Sequence, residues 1–191
     1  MTVYEAIMKR RTIRKYKQTK IQPEIFKKIV NSARVCASAA NMQPLKYIIV
    51  SSDEMCKEIF PCLKWAAYFK DGSGEPKEGE EPTAYVIILG DKNIKASFDT
   101  DAGAAITNMM LTAYEEGLGS CWFASVDREK VRNILNIDDN LDVLYVLSLG
   151  YPSEESSECE MKDNDVKYFR NDDGSISVPK RSMDEVLIDI R

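Results

Sequence analysis

Two apolar runs constrain this chain more than any other feature: Ala84 to Leu89, and Val143 to Leu149 with only Ser148 interrupting. Both fall far short of the roughly 20 residues a membrane-spanning helix needs, so they read as strands. Ala84 to Gly90 shows no polar alternation, which implies burial on both faces and therefore cover on both sides of a sheet. The cover is visible in the sequence. Phe98, Ala102, Ala105, Ile106, Met109, Met110, Ala113 and Tyr114 recur at three and four residues and predict a helix that Gly117 ends. Thr2 and Glu5 form a capping box for a short first helix, and Pro23 opens a second whose Ile25, Phe26, Ile29, Val30 and Ala33 share one face. Asp53 to Phe60 and Asp127 to Leu135 read as further helices, Lys46 to Ser51 and Gly119 to Ala124 as further strands. The run Ala102-Gly103-Ala104-Ala105 has so little bulk that another helix or a second subunit can pack close to it. The alternation predicts one layered domain over residues 1–191, of the α+β or α/β class.

The 191 residues contain no histidine, which excludes imidazole as base, proton shuttle or metal ligand, and with it Ser-His-Asp and Cys-His hydrolysis and the common zinc sites. Cys36, Cys56, Cys62, Cys121 and Cys159 are odd in number and widely spread, which argues against a disulfide framework or a metal site. No secretory signal opens the sequence, so the expected compartment is the cytoplasm. The net charge of −5 argues against broad nucleic-acid or anionic-membrane binding.

Against that acidic background, Lys9, Arg10, Arg11, Arg14, Lys15, Lys17 and Lys20 place seven cations in twelve residues with no acid between them. Taken alone, the cluster reads either as a solvated basic turn closing the first helix or as a phosphate site, for which arginine's rigid fork of donors is suited. If Arg11 to Lys17 is extended, Arg10, Thr12 and Arg14 project to one side. Two other segments are rich in polar donors: Ser38 to Gln43, a loop that Pro44 closes, and Lys180 with Arg181. Trp65, Tyr68 and Phe69 precede a stretch with Gly72, Gly74, Gly79, Pro76 and Pro82; residues 65–83 are thus either a lid over a pocket or a surface excursion packed on the core. Ser153 to Asp165 holds six acids against Lys162 and is expected to be exposed. Gly117-Leu118-Gly119 lacks the third glycine of a dinucleotide motif, Trp122 standing in its place. Asp99 and Asp101 read as partners of a helix N-terminus rather than metal ligands, and Cys121 as an inert buried thiol.

In combination, several pieces resemble the nitroreductase family of FMN-dependent oxidoreductases across nearly the whole length. They are Arg10-Arg11-Thr12-Ile13-Arg14, Ser38-Ala39-Ala40-Asn41-Met42-Gln43-Pro44, Gly117-Leu118-Gly119-Ser120-Cys121-Trp122, Gly150-Tyr151-Pro152 and Pro179-Lys180-Arg181. The resemblance implies an α+β fold with a central mixed β-sheet flanked by helices, and an interlocked homodimer with two FMN molecules at the interface. It implies that Arg10, Arg11, Thr12 and Arg14 bind the flavin phosphate, ribityl chain and pyrimidine edge, with Lys180 or Arg181 completing the phosphate site. Ala37, Ser38, Ala39 and Asn41 would come from the partner chain, and Phe123, Ala124 and Ser125 would lie along the flavin, the last two offering backbone N–H groups toward N5.

No catalytic side chain and no metal is implied, because the flavin carries the redox chemistry and the protein positions and polarises it. NADH or NADPH would donate hydride and depart, and a small acceptor such as a nitroaromatic or quinone would follow in a ping-pong cycle. The chain departs from the family pattern at Ala37, where proline is usual, at Leu45, where tryptophan is common, and at Ala124, where short members often have glycine. Two other readings are a flavin carrier or sensor without turnover and an anion or nucleotide binder without flavin.

Overall fold

The computed structural model describes residues 1–69 and 72–191. Along the chain run α1 (Val3–Lys9), β1 (Tyr16–Lys17), α2 (Pro23–Arg34), β2 (Leu45–Val50), α3 (Asp53–Ile59), β3 (Ala84–Asp91), α4 (Asp99–Glu115), β4 (Gly119–Phe123), α5 (Arg128–Leu135), β5 (Leu141–Pro152), β6 (Ser156–Glu160), β7 (Phe169–Arg170), β8 (Ile176–Lys180) and α6 (Met183–Val186). Local sequence signals set several of these ends. Thr2 with Glu5, and Ser182 with Glu185, close complete capping boxes, Asp127 caps α5, and Gly117 takes the left-handed conformation just past α4.

The uninterrupted apolar character of β3 has a direct structural cause. Its residues alternate between two cores: Ala84, Val86 and Ile88 face Phe26, Ile29, Ala105, Ile106 and Met109 of α2 and α4, while Tyr85, Ile87 and Leu89 face Ile59 and Val131 of α3 and α5. The result is helix, sheet, helix. Each fully buried aliphatic side chain contributes about 1.5–3 kcal/mol of transfer free energy, so β3 alone supplies a large share of what holds the layers together. Among the described residues no helix is long and apolar enough to cross a membrane.

The main sheet corrects one expectation. It was expected to be mixed, yet every ladder among its described strands is antiparallel: β2 with β3, β3 with β5, β4 with β5, and β1 with β5. β3 and β4, joined through α4, do run parallel to each other, but β5 is inserted between them and opposes both. A strand–helix–strand pattern in sequence cannot reveal that a later strand will separate its two ends. A second sheet, β6–β8–β7, takes its first strand from the acidic region Ser153 to Asp165, for which exposure alone was expected.

Two glycines dock the N-terminal strand onto this scaffold. Gly119 and Gly150 are register partners across β4 and β5. A Cβ on Gly119 would lie 2.7 Å from the Ile13 side chain, and one on Gly150 would lie 2.7 Å from the Tyr16 ring. Absent both Cβ atoms, Ile13 and Tyr16 lie flat against the sheet, and the Tyr16 hydroxyl meets Ser148 Oγ at 2.8 Å and donates to Ile13 O at 2.5 Å. We expect Gly119→Ala to lower stability by about 1–3 kcal/mol in urea denaturation through overpacking. The double variant Gly119→Ala/Ile13→Ala should lose less than the sum of the single losses. Simple additivity would show that the close approach is not what the glycine provides.

Candidate functional site

Residues 10–17 leave α1 as extended backbone, Arg10 donating its N–H back to Ala6 O. Thr12 bridges Ser120 in a parallel sense, and Ile13 N donates to Ser120 O at 3.0 Å. Two segments more than a hundred residues apart, the arginine stretch and the strand Gly119–Phe123, are thereby brought side by side. Strand alternation then divides the side chains. Arg11 and Ile13 turn inward, each 9 % exposed, while Arg10, Thr12 and Arg14 remain half-buried on the other side.

The three arginines have different surroundings. Arg11 is ion-paired to Glu158 and donates from Nη1 to Arg10 O at 2.6 Å, so its charge is already committed inside this chain. Arg14 donates its backbone N–H to Glu154 Oε1 at 2.7 Å, and its guanidinium lies 4.6 Å from the centre of the Tyr168 ring. It also neighbours Cys121, whose thiol burial pushes up to about 11 despite the opposing pull of Arg14. Among the described residues the Arg10 guanidinium has no ion-pair or hydrogen-bond partner, and burial together with the charge of Arg11 pushes its pKa down. A half-buried cation beside another cation is the local arrangement an anion relieves. Of the outer lysines, Lys15 pairs with Glu80 at 2.9 Å and Lys20 with Asp53.

Beyond β4 the chain is pinned from both sides. Arg128 Nη2 donates to Ala124 O and to Leu144 O, each at 3.1 Å, and Lys64 N donates to Ser125 O at 3.2 Å. Phe123 is buried against the edge of Trp65, ring centres 4.6 Å apart. The root of the 65–83 segment is therefore fixed to the end of β4, while Tyr68 and Phe69 pack on Tyr168 at 4.9 and 5.3 Å. Lys70 and Asp71, part of the expected lid, lie outside the described residues.

The loop carrying Ala37, Ser38, Ala39 and Asn41 is strained. Ala40, Asn41 and Gln43 all adopt left-handed φ values of 50 to 54°, costly for residues with a Cβ. Ser38 holds the loop in place: its hydroxyl donates to Asp101 Oδ1 at 2.6 Å and accepts from Gln43 N at 2.9 Å. Asp101, 2 % exposed, also pairs with Lys95 at 2.6 Å. Burial works against its charge, but the bonds from Lys95 and Ser38 prevail and hold the carboxyl below its ordinary range. Asp101 therefore anchors a loop more than it caps a helix. Ala37, Ala39 and Asn41 are exposed. Within one chain this loop does not meet the arginines: it is fastened near the start of α4, whereas Ile13 packs just past its end, and 17 residues of helix span about 25 Å.

Lys180 ends β8 opposite Glu160, and Arg181 pairs with Glu185 at 3.0 Å and donates to Asn164, so neither makes a described contact with Arg10, Thr12 or Arg14. Sequence reasoning missed Glu154, Glu158 and Tyr168. The available signal was charge complementarity between the basic stretch and the acidic one, but charge alone does not say which acid faces which arginine.

The model of the Nitroreductase family matches residues 7–151. A protein of Archaeoglobus fulgidus, provisionally named NADH dehydrogenase/NAD(P)H nitroreductase, is 32% identical over 164 residues, covering 82% of this chain and 89% of its own. The solved structure of an FMN-dependent nitroreductase of Clostridium difficile superposes with a TM-score of 0.68 at 26% identity, covering 83% of this chain and 91% of that one. A provisionally named nitroreductase of Desulfovibrio desulfuricans, solved in complex with FMN, gives a TM-score of 0.71 at 20% identity over 100% and 98% of the two chains.

A raised thiol pKa means less thiolate at neutral pH, so Cys121 is unsuited to nucleophilic work. Iodoacetamide at pH 8 should alkylate Cys121 in the native protein at least about 100-fold more slowly than in the urea-unfolded chain, read by peptide mass spectrometry. Comparable rates would mean an accessible, reactive thiol.

Proposed function

Because the chain belongs to the nitroreductase family, we propose that it is a homodimeric, cytoplasmic FMN-dependent oxidoreductase that uses NADH or NADPH to reduce small electron-poor acceptors such as nitroaromatics or quinones. The observation that carries this reading is the half-buried Arg10 guanidinium, unpartnered among the described residues, on the same side of the strand as Thr12 and Arg14. That donor set fits an anionic, hydroxyl-rich ligand: guanidinium forks for phosphate or the electron-rich pyrimidine edge, and a hydroxyl for the ribityl chain. Bound FMN would supply the redox chemistry, passing hydride through N5.

The residues of this chain would bind and polarise. Arg10 and Arg14 would contribute positive charge, which stabilises an anionic reduced ring. Phe123 and the pinned backbone of Ala124 and Ser125 would line the flavin. Arg11 is left out of the contact set, since Glu158 already holds it. Lys180 or Arg181 would complete the phosphate site and Ala37, Ser38, Ala39 and Asn41 would come from the second subunit. Support for that two-chain site is the separation of the Ser38 loop from the arginines along α4. Support for dimerisation is the exposure of the apolar side chains Val3, Tyr4, Ile7 and Met8 on α1 and of Val186, Leu187, Ile188 and Ile190 near the C-terminus, which a second copy could cover.

Purified protein should show the visible absorption of oxidised flavin, and anaerobic NADH or NADPH should bleach it. Protein that is colourless and takes up no added FMN would sink the reading. A holoprotein whose flavin stays oxidised with both donors would be a carrier rather than this enzyme. Arg10→Ala and Arg14→Ala should each weaken FMN binding by about 2–3 kcal/mol, the loss of a charge-assisted contact, while Lys17→Ala should leave it nearly unchanged. Equal affinity in all three variants would return the cluster to a solvated basic turn.

A further inference from the structure

We propose that Tyr168 is a positioning residue of this site: it holds the Arg14 guanidinium and fastens the aromatic segment Trp65–Phe69 beside it, so that flavin retention and the order of that segment are linked. The inference rests on the reading of Arg14 as a flavin contact and adds a residue that lies beyond the segment matched by the family model.

Tyr168 stands out from its surroundings. Residues 162–167 and Phe169 are exposed, yet the Tyr168 ring is turned in. The Arg14 guanidinium lies 4.6 Å from its centre, within the range of a cation–π contact. Tyr68 and Phe69 contact the same ring at 4.9 and 5.3 Å with interplanar angles of 54° and 67°, the tilted to edge-on geometry that aromatic pairs favour. A second route joins the same parts. The Arg170 guanidinium lies 5.5 Å from the Phe69 ring centre and 3.8 Å from Glu154, and Glu154 accepts the Arg14 backbone N–H. Arg14, Tyr168, Phe69, Arg170 and Glu154 thus form a closed circuit of contacts. A movement of Arg14 toward or away from a ligand is therefore transmitted to Phe69 through two independent paths.

The circuit depends on the ring and not on the phenol hydroxyl, for which no hydrogen bond is described, so phenylalanine should substitute and alanine should not. In the apo protein, Tyr168→Ala should raise the rate of tryptic cleavage after Lys64 or Lys77 at least about 5-fold, because cleavage tracks local opening. It should also raise the FMN dissociation constant about 5- to 10-fold, in keeping with loss of a cation–π contact, with Tyr168→Phe within about 2-fold of the parent in both. Faster cleavage with unchanged FMN affinity would overturn the linkage while leaving the function intact. Unchanged cleavage would overturn the fastening itself. Failure of the parent protein to bind FMN would overturn the functional reading and the linkage with it, with the cleavage arm still reporting on the contacts. If Tyr168→Ala does not fold, Tyr168→Leu, which keeps bulk without a ring, carries the same comparison.

Discussion

Gly119 and Gly150 face each other across β4 and β5, and the missing Cβ atoms are what allow Ile13 and Tyr16 to lie against the sheet. Everything about the candidate site follows from that docking. With Ile13 fixed inward, alternation turns Arg11 inward as well and leaves Arg10, Thr12 and Arg14 on the opposite side, beside the start of β4. A strand that floated even one residue out of register would exchange the two sets, presenting Arg11 and Ile13 where Arg10, Thr12 and Arg14 now stand. The glycines act through space they leave empty, which is why their contribution is invisible until the neighbouring side chain is known.

Electrostatics then selects among the cations. Glu158 takes Arg11, Glu80 takes Lys15 and Asp53 takes Lys20, so the acids are spent on residues around the site. Among the described residues Arg10 is left without an ion-pair partner, half out of water. Such a charge costs stability when unpaired and returns that cost when an anion arrives, so on the proposed function cofactor affinity would be tied to local folding energy. The same economy governs the Ser38 loop. Its left-handed residues are held by a buried carboxylate whose own bonds outweigh its desolvation. Since that carboxyl is held below its ordinary range, the stabilisation is complete above the usual carboxylate pKa and is lost progressively as the pH falls from there through the lowered value.

Much of the scaffold was legible in the sequence because it rests on local or periodic signals. The unbroken run Ala84 to Leu89 required two covered faces, and the structure supplies both. The capping boxes at Thr2 and Ser182 and the glycine after α4 depend only on residues within a turn. Features set by distant partners were not legible. The insertion of β5 between β3 and β4, which makes the sheet antiparallel, is decided by packing that no window of sequence contains. Glu154 and Glu158 belong to a stretch whose composition indicates solvent, Tyr168 lies just past it, and their roles appear only once these residues are laid beside the arginines. The division of Arg11 from Arg10 and Arg14 lies between these cases: alternation predicted two sides, and only the docking on Gly119 says which side is which.

The length of α4 makes the strongest case that one chain is not enough. Ser38 is bonded to Asp101 in the first turn of that helix, and Ile13 packs just beyond its last turn, about 25 Å away by helical rise. If both segments are to touch one flavin, no adjustment of loops within a chain can bring them together, because the rod between them is packed along its length against α2, β3 and β5. On the proposed dimer, a two-fold axis crossing α4 near its middle would bring the start of one rod near the end of the other. On that reading the cofactor site and the subunit interface are one structure, and the apolar side chains left bare on α1 and at the C-terminus are the surface through which the two copies complete each other.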